Sequence, residues 1–408
     1  MATRVRSFSK VNLGLRIGPV RADGFHELAT MYQTLALHDV VTVSAQRVGD
    51  GGRSGIVLTT DHPRIPVDAR NTAWQMVERA LLAMGVAAEV AIHIDKRLPV
   101  QGGMGAGSAN AAAALLGLER EMDGWEVVVP ALSGVQRLRL AAEVGSDVPL
   151  FLVGGAVLGR GRGELVVAMP DVTLGGEGRG GGVPCVVAMP KIGVSTPFAF
   201  REWDARHGAT LGTPGAEADG GAPDRGAGGA GRTGVESGAG AEEGRSPVAN
   251  ALTFSYPSAS LDELSLAYSS AYATSALQGA EPGTSGIVGD LSPHGISANG
   301  GVGLRSNLAG DTLLALVRTG IENDFEEVVF PYHPPLREIK RLLTGEDSGA
   351  PAVYAALSGS GSALFGLYRS EGDARAAQQR VQSSGTEAIL TETLTRAEYW
   401  ARMFADVG

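Results

Sequence analysis

Leu98-Pro99-Val100-Gln101-Gly102-Gly103-Met104-Gly105-Ala106-Gly107-Ser108-Ala109-Asn110-Ala111 is the stretch on which the fold turns. An apolar, strand-like segment (90–94) precedes it, and an alanine- and leucine-rich helical pattern (108–122) follows, with Ser108 expected as the N-cap. Glycines let the backbone turn tightly and bring its N–H groups close to a ligand. The helix N-terminus adds partial positive charge, so a polyphosphate is the natural occupant. No Gly-Lys-Ser/Thr follows, which excludes a Walker A loop, and Gly105-x-Gly107 lacks the third glycine of the dinucleotide fingerprint. On the glycines alone, an ordinary strand-to-helix connection stays open.

Outward from this loop, residues 1–167 read as one α/β unit. Strands are expected at 5–8, 40–45 and 56–60, and helices at 73–84 and 131–144, the latter between Pro130 and Gly145. The apolar run 149–158 reads as a buried strand. A second unit, 183–408, opens with a strand at 183–189 and closes with strands at 353–358 and 363–368 and a helix at 371–383. Hairpin signals of two residues are scarce, which favours a mixed α+β sheet over a sandwich. The second unit is interrupted at 208–307. Glycine makes up about a third of 208–247, and a Gly/Ser-rich stretch runs from 279 to 310, with one weak helix readable at 261–277. Such a composition buries too little surface to offset the entropy of ordering, so a disordered insertion is expected, with a flexible lid as the alternative.

The 408 residues carry a net charge of −10 and no basic patch, which argues against a nucleic-acid partner. No apolar run approaches the roughly 20 residues of a membrane span. Arg4, Arg6 and Lys10 stand among serines with no apolar segment after them, so no secretory signal is expected, and the single Cys185 fits a reducing, cytoplasmic compartment.

Three further segments hold chemistry-bearing residues. In Ser7-Phe8-Ser9-Lys10-Val11-Asn12-Leu13, Lys10 and Asn12 share one strand face with Phe8, a combination that points to a site, although a solvated lysine is an equal reading. Asp23-Gly24-Phe25-His26 is first of all a turn, and a lone histidine is more often structural. In Gly145-Ser146-Asp147-Val148-Pro149, Asp147 taken alone reads as a turn residue, and Ser358-Gly359-Ser360-Gly361-Ser362 reads as a hairpin.

Together and in this order, the segments resemble the three motifs of the GHMP kinase superfamily, and within it those of the cytidyl-methylerythritol kinases of non-mevalonate isoprenoid biosynthesis. The narrower likeness rests on Ser9-Lys10-Val11-Asn12-Leu13, Arg21-Ala22-Asp23-Gly24-Phe25-His26-Glu27-Leu28, Lys96-x-Leu98-Pro99, Gly145-Ser146-Asp147-Val148-Pro149 and Glu322-Asn323-Asp324-Phe325-Glu326. It covers roughly residues 4–204 and 308–370. The chain departs from the pattern at Gln101, where glycine is usual, and at Met104, Ala106 and Ala109, in place of Leu, Gly and Ser.

The resemblance implies a two-domain α+β GHMP kinase fold: an N-terminal domain like ribosomal protein S5 domain 2, a ferredoxin-like C-terminal domain, and an active site in the cleft between. It also implies ATP as phosphoryl donor, with Mg2+, and transfer to the 2-hydroxyl of 4-diphosphocytidyl-2-C-methyl-D-erythritol. Asp147 would be the base and Lys10 its partner. Lys96, Pro99, Gln101, Gly102, Gly103, Met104, Gly105, Ala106, Gly107, Ser108 and Ala109 would hold ATP, and Asn12, Phe25, His26 and Phe200 the second substrate. No metal ligands or oligomeric state follow. The rivals are another GHMP kinase, for mevalonate, homoserine or a sugar, and a nucleotide-binding regulator without turnover.

Closing a long flexible loop costs only about 0.6 kcal/mol per doubling of length. Splicing Arg206 to Leu308 through a short Gly/Ser linker is therefore expected to leave fold and kcat/KM nearly unchanged, with limited proteolysis of the intact chain cutting first inside the tract. Protease resistance without ligand would show a folded segment instead.

Overall fold

Strands β1 (Thr3–Val20) and β2 (His26–Arg47) form one long antiparallel hairpin. It is closed by a turn in which Phe25 N donates to Asp23 Oδ1 and Gly24 takes φ +81°. The structure, a computed structural model, describes residues 2–49, 51–100, 102–126, 128–174, 181–208 and 312–405. Gln101, nearly all of the tract read as an insertion, and the helix read at 261–277 lie outside the described residues. The β1–β2 register shifts between Phe8 and Lys10, between Asn12 and Gly14, and between Ile17 and Val20. Such bulges bend a strand and re-aim its side chains. The first of them separates Phe8 from Lys10: Phe8 packs on Tyr399 and His38 in the core and does not join the site expected of it.

Among the described residues, the larger sheet runs β11 (Phe404–Ala405), β1, β2, β4 (Ala88–Asp95), β3 (Gly55–Thr60), with β5 (Ala156–Arg160) also paired to β2 and β6 (Leu165–Ala168) to β5. Strands β3 and β4 are parallel, joined through α1 (Thr72–Met84). Helix α2 (Ala106–Met122) lies on β1, β2 and α1, and its buried face is mostly alanine, which permits a close approach. A Cβ at Gly117 would fall 2.7 Å from Val43 Cγ2. Helix α3 (Gly134–Val144) starts later than the expected 131 because Ser133 and Gln136 form a capping box there.

The second sheet is antiparallel, in the order β10 (Glu387–Glu392), β7 (Pro184–Met189), β9 (Leu364–Leu367), β8 (Tyr354–Leu357). Alternation along β7 sorts its faces. Cys185 and Val187 join Val11, Leu13 and Met31 of the β1–β2 hairpin in one core, while Val186 and Ala188 pack beneath α6 (Phe325–Tyr332), α7 (Pro334–Thr344) and α8 (Glu371–Ser383). Helices α4 (Thr196–His207) and α5 (Thr312–Arg318) complete this part. After β10 the chain returns to the larger sheet. Helix α9 (Arg396–Arg402) buries Tyr399 in the first core, and β11 pairs with β1.

The buried strand expected at 149–158 is instead a 3₁₀ turn, Pro149–Leu152, followed by β5 from Ala156. Pro149 lacks an N–H and fixes φ for a helical start. Gly154 and Gly155, at φ +72° and +68°, then break the chain direction. Periodicity cannot separate a strand from a helical segment in so short an apolar run.

Tyr399 Oη donates to the Phe151 carbonyl at 2.6 Å and ties α9 to this turn. Tyr399→Phe leaves that carbonyl buried without a donor, and a loss of about 1–3 kcal/mol is expected from urea unfolding. An unchanged midpoint would show that the bond contributes nothing.

Candidate active site

Lys10 is 3% exposed, and its ammonium is surrounded by partners. It donates to Asn12 Oδ1 at 2.6 Å, lies 3.3 Å from Asp147 Oδ2, and stands 5.4 Å from the centre of the Tyr32 ring. Asn12 is oriented in turn by donating to Thr30 Oγ1, which donates to the Gly14 carbonyl. Asp147 sits in the turn between α3 and the 3₁₀ segment, half-buried, with Oδ1 accepting from Tyr32 Oη at 3.0 Å. Residues 137 positions apart thus form a cation–carboxylate pair open on the carboxylate side. Tyr32 was not anticipated from sequence. Burial, and then the Asp147 charge, push its phenol well above the usual range, so it remains a donor.

The glycine loop lies against this pair. Lys10 N donates to the Met104 carbonyl, and a Cβ at Gly105 would meet Phe151 Cζ at 2.9 Å and Lys10 Cγ at 3.1 Å. The helix begins at Ala106, earlier than expected, with Gly105 at φ +69° in the N-cap position and no side-chain cap; Ser108 falls in the first turn instead of capping it. A glycine can take this left-handed backbone where serine would be strained. First-turn N–H groups therefore have no intrahelical acceptor and border a cavity of about 360 Å³. Pro99, Gly102, Gly103, Met104, Gly105, Ala106, Gly107 and Ser108 line it, as do Asn71, Thr72 and Asn110. Ala109 is buried in the core behind them.

Lys96 also lines the cavity, but its ammonium is committed elsewhere. It donates to Asp39 Oδ2 at 2.6 Å, while Asp39 Oδ1 accepts from the main-chain N–H groups of Arg97 and Leu98. Both side chains of the pair are almost completely buried. Burial lowers the Lys96 pKa, and the Asp39 charge opposes that shift.

The second glycine turn is the hairpin between β8 and β9, as expected, and it interlocks with the first. Ser358 Oγ donates to the Gly103 carbonyl, and the position of a Gly103 Cβ is already filled by the Ser358 carbonyl. Asn323 Nδ2 donates to the carbonyls of Leu357 and Gly359, both at 2.8 Å. Asp324 binds Arg16 Nη1 and Ile17 N on β1, each at 2.7 Å, and Glu326 accepts from Leu357 N. The 322–326 segment is thus a clamp holding this turn to β1.

At the other end of the β1–β2 hairpin, His26 is buried between the Gly18 carbonyl on Nδ1 and Asp204 on Nε2, each at 2.9 Å. Its ring stacks on Phe200 at 5.1 Å, and Phe200 also meets Phe325 nearly edge-on. Phe25 is 54% exposed beneath the Arg162 guanidinium. His26 and Phe200 are therefore brought together, with Phe25 next to them in the chain.

Residues 71–155 match the GHMP kinases N terminal domain and residues 307–387 the GHMP kinases C terminal domain. The chain belongs to the GHMP kinases. Among similar proteins, the 4-diphosphocytidyl-2-C-methyl-D-erythritol kinase of Streptomyces coelicolor is 37% identical over 222 residues, 54% of this chain and 67% of that one. The enzyme of the same name from Rhodococcus jostii (strain RHA1) is 40% identical over 200 residues, 49% of this chain and 58% of its own length. The chain thus spans about three fifths of the curated relatives it matches. A crystal structure of 4-(cytidine 5'-diphospho)-2C-methyl-D-erythritol kinase shares the α+β fold, with TM-score 0.53 and 24% identity, covering 96% of this chain and 99% of that one.

Removing one member of a buried ion pair leaves the other charged and unpaired, at a cost of about 3–5 kcal/mol. Lys96→Met is expected to lower unfolding stability by about that much in a denaturant titration. Full stability with a raised KM for ATP would instead assign the ammonium to the nucleotide.

Proposed function

We propose that this chain is an ATP-dependent small-molecule kinase that phosphorylates the 2-hydroxyl of 4-diphosphocytidyl-2-C-methyl-D-erythritol. The observation that carries the chemistry is the Lys10–Asp147 pair, 3.3 Å apart beside an uncapped, glycine-lined helix N-terminus. The names of the relatives support the choice of substrate.

In this reading ATP lays its phosphates along residues 102–108, where Gly102, Gly103, Gly105 and Gly107 present backbone N–H groups without a Cβ of their own. Lys96 contributes its stem and main chain, its ammonium being held by Asp39. Among the described residues no three His, Cys, Asp or Glu side chains are placed to hold a metal ion together, and in this reading Mg2+ would be held chiefly by the phosphates that bring it. The substrate hydroxyl attacks the γ-phosphorus, the bond to the ADP oxygen breaks, and the hydroxyl proton passes to Asp147. An aspartate is a weak base, but it suffices when positioning dominates a loose transition state. Lys10, fixed by Asn12, faces the charge that develops on the transferred group. The cytidine would sit at the Phe25–His26 end of the hairpin, with Phe25 free to stack and the His26–Phe200 pair forming a second aromatic wall. No helix among the described residues is long and apolar enough to cross a membrane.

Incubation with Mg–ATP and the cytidyl substrate should release ADP in proportion to phosphorylated product. Asp147→Asn keeps the size and removes the basic oxygen, and kcat should fall about 10²–10⁴-fold with little change in ATP affinity. Near-normal turnover would reduce Asp147 to a turn residue.

Phe25→Ala tests the substrate end. Stacking lost from one base is worth about 1–3 kcal/mol, so KM for the cytidyl substrate should rise roughly 5- to 150-fold while KM for ATP stays put. Equal changes in both would remove Phe25 from the cytidine site.

A further inference from the structure

We propose that Tyr32 is a positioning residue that pins the carboxylate of Asp147 in its working orientation, an inference resting on the assignment of Asp147 as the base. A carboxylate turns about a broad, roughly two-fold torsion, so one partner leaves its second oxygen free to swing. Asp147 has a partner on each oxygen. Oδ2 faces the Lys10 ammonium at 3.3 Å, and Oδ1 accepts from Tyr32 Oη at 3.0 Å. The two partners belong to neighbouring, hydrogen-bonded strands, Lys10 on β1 and Tyr32 on β2, so the plane of the carboxylate is referred to one strand pair.

Packing around the phenol fits this assignment. Tyr32 is 2% exposed, and an apolar ring would fill most of the same space. The hydroxyl is the costly part, because a buried O–H needs an acceptor. Its hydrogen bond is to Asp147. Two glycines make room for the phenol. A Cβ at Gly159 would fall 2.6 Å from Tyr32 Cε2, and a Cβ at Gly163, where φ is +104°, would collide with Tyr32 Oη. The same ring lies against the Lys10 ammonium, so one side chain touches both members of the pair.

The test uses Tyr32→Phe, which removes one oxygen and keeps the ring. The full chain is assayed with Mg–ATP and the cytidyl substrate, alone and combined with Asp147→Ala. The expected result is a kcat about tenfold lower with KM for ATP unchanged, and no further loss when Tyr32→Phe is added to Asp147→Ala. An unchanged kcat overturns the proposal. So does an equal loss in both backgrounds, which would mean that the phenol acts without Asp147. A readout independent of turnover separates this proposal from the assigned activity. In protein labelled with ζ-¹³C tyrosine, the resonance absent from Tyr32→Phe should shift in Asp147→Ala. If the parent shows no kinase activity yet that resonance shifts, the activity reading fails and the Tyr32–Asp147 coupling stands. If it does not shift, the coupling is absent and the proposal falls.

Discussion

A lysine ammonium removed from water must find its partners inside the protein, and much of the architecture follows from meeting that requirement at Lys10. Asn12, two residues along the same strand, accepts from it, and Asp147 arrives from a turn far along the chain. The glycine loop crosses above its aliphatic stem, close enough that Gly105 has no room for a Cβ. The bulge at Ser9 sends Phe8 into the core and leaves Lys10 to this polar group. A glycine loop, a carboxylate and a cation are thereby referred to one strand position.

The glycines around this point act as shape more than as flexibility. Gly103 gives up the volume that the Ser358 carbonyl occupies, and Ser358 returns a hydrogen bond to the Gly103 carbonyl. Asn323 then fixes the 357–359 backbone by binding two of its carbonyls. Two glycine turns separated by more than 250 residues become one rigid corner. Preorganisation of this kind lowers the entropic cost of binding a flexible polyphosphate, because the amides that meet it are already in place.

Much of this was legible in the sequence where local chemistry is decisive. The helix at 371–383 needed only periodicity and its polar start, and it is found at those bounds. The glycine cluster announced a strand–loop–helix corner, although Ser108 misled as the cap because the left-handed turn at Gly105 starts the helix two residues before it. What stayed illegible depended on partners distant in the chain. The run at 149–158 has the apolarity of a strand, yet it begins as a 3₁₀ turn at Pro149, and the chain then passes close to the Tyr399 ring at Gly154, where a Cβ would collide. Tyr32 reads as one more apolar residue of a strand, since nothing local says that Asp147 will come to its hydroxyl.

Charge was the least legible property of all. The cations that border the phosphate-sized cavity each have a carboxylate partner, Lys96 a buried one in Asp39 and Arg70 an exposed one in Asp68, and Lys10 nearby faces Asp147. In the proposed reading, the uncapped first turn of α2 adds an attraction for phosphate through dipoles, which carry no net charge. Lys10 meets the same end differently under the proposed mechanism: it is paired with the carboxylate assigned there as the proton acceptor. On that assignment, transfer of the attacking hydroxyl's proton to Asp147 would cancel its charge and leave the Lys10 ammonium without its opposing partner. The cation would then be uncompensated at the moment negative charge gathers on the transferred phosphoryl group. In the proposed mechanism, one ion pair, held by Asn12 on one side and Tyr32 on the other, would thus link proton removal to charge stabilisation.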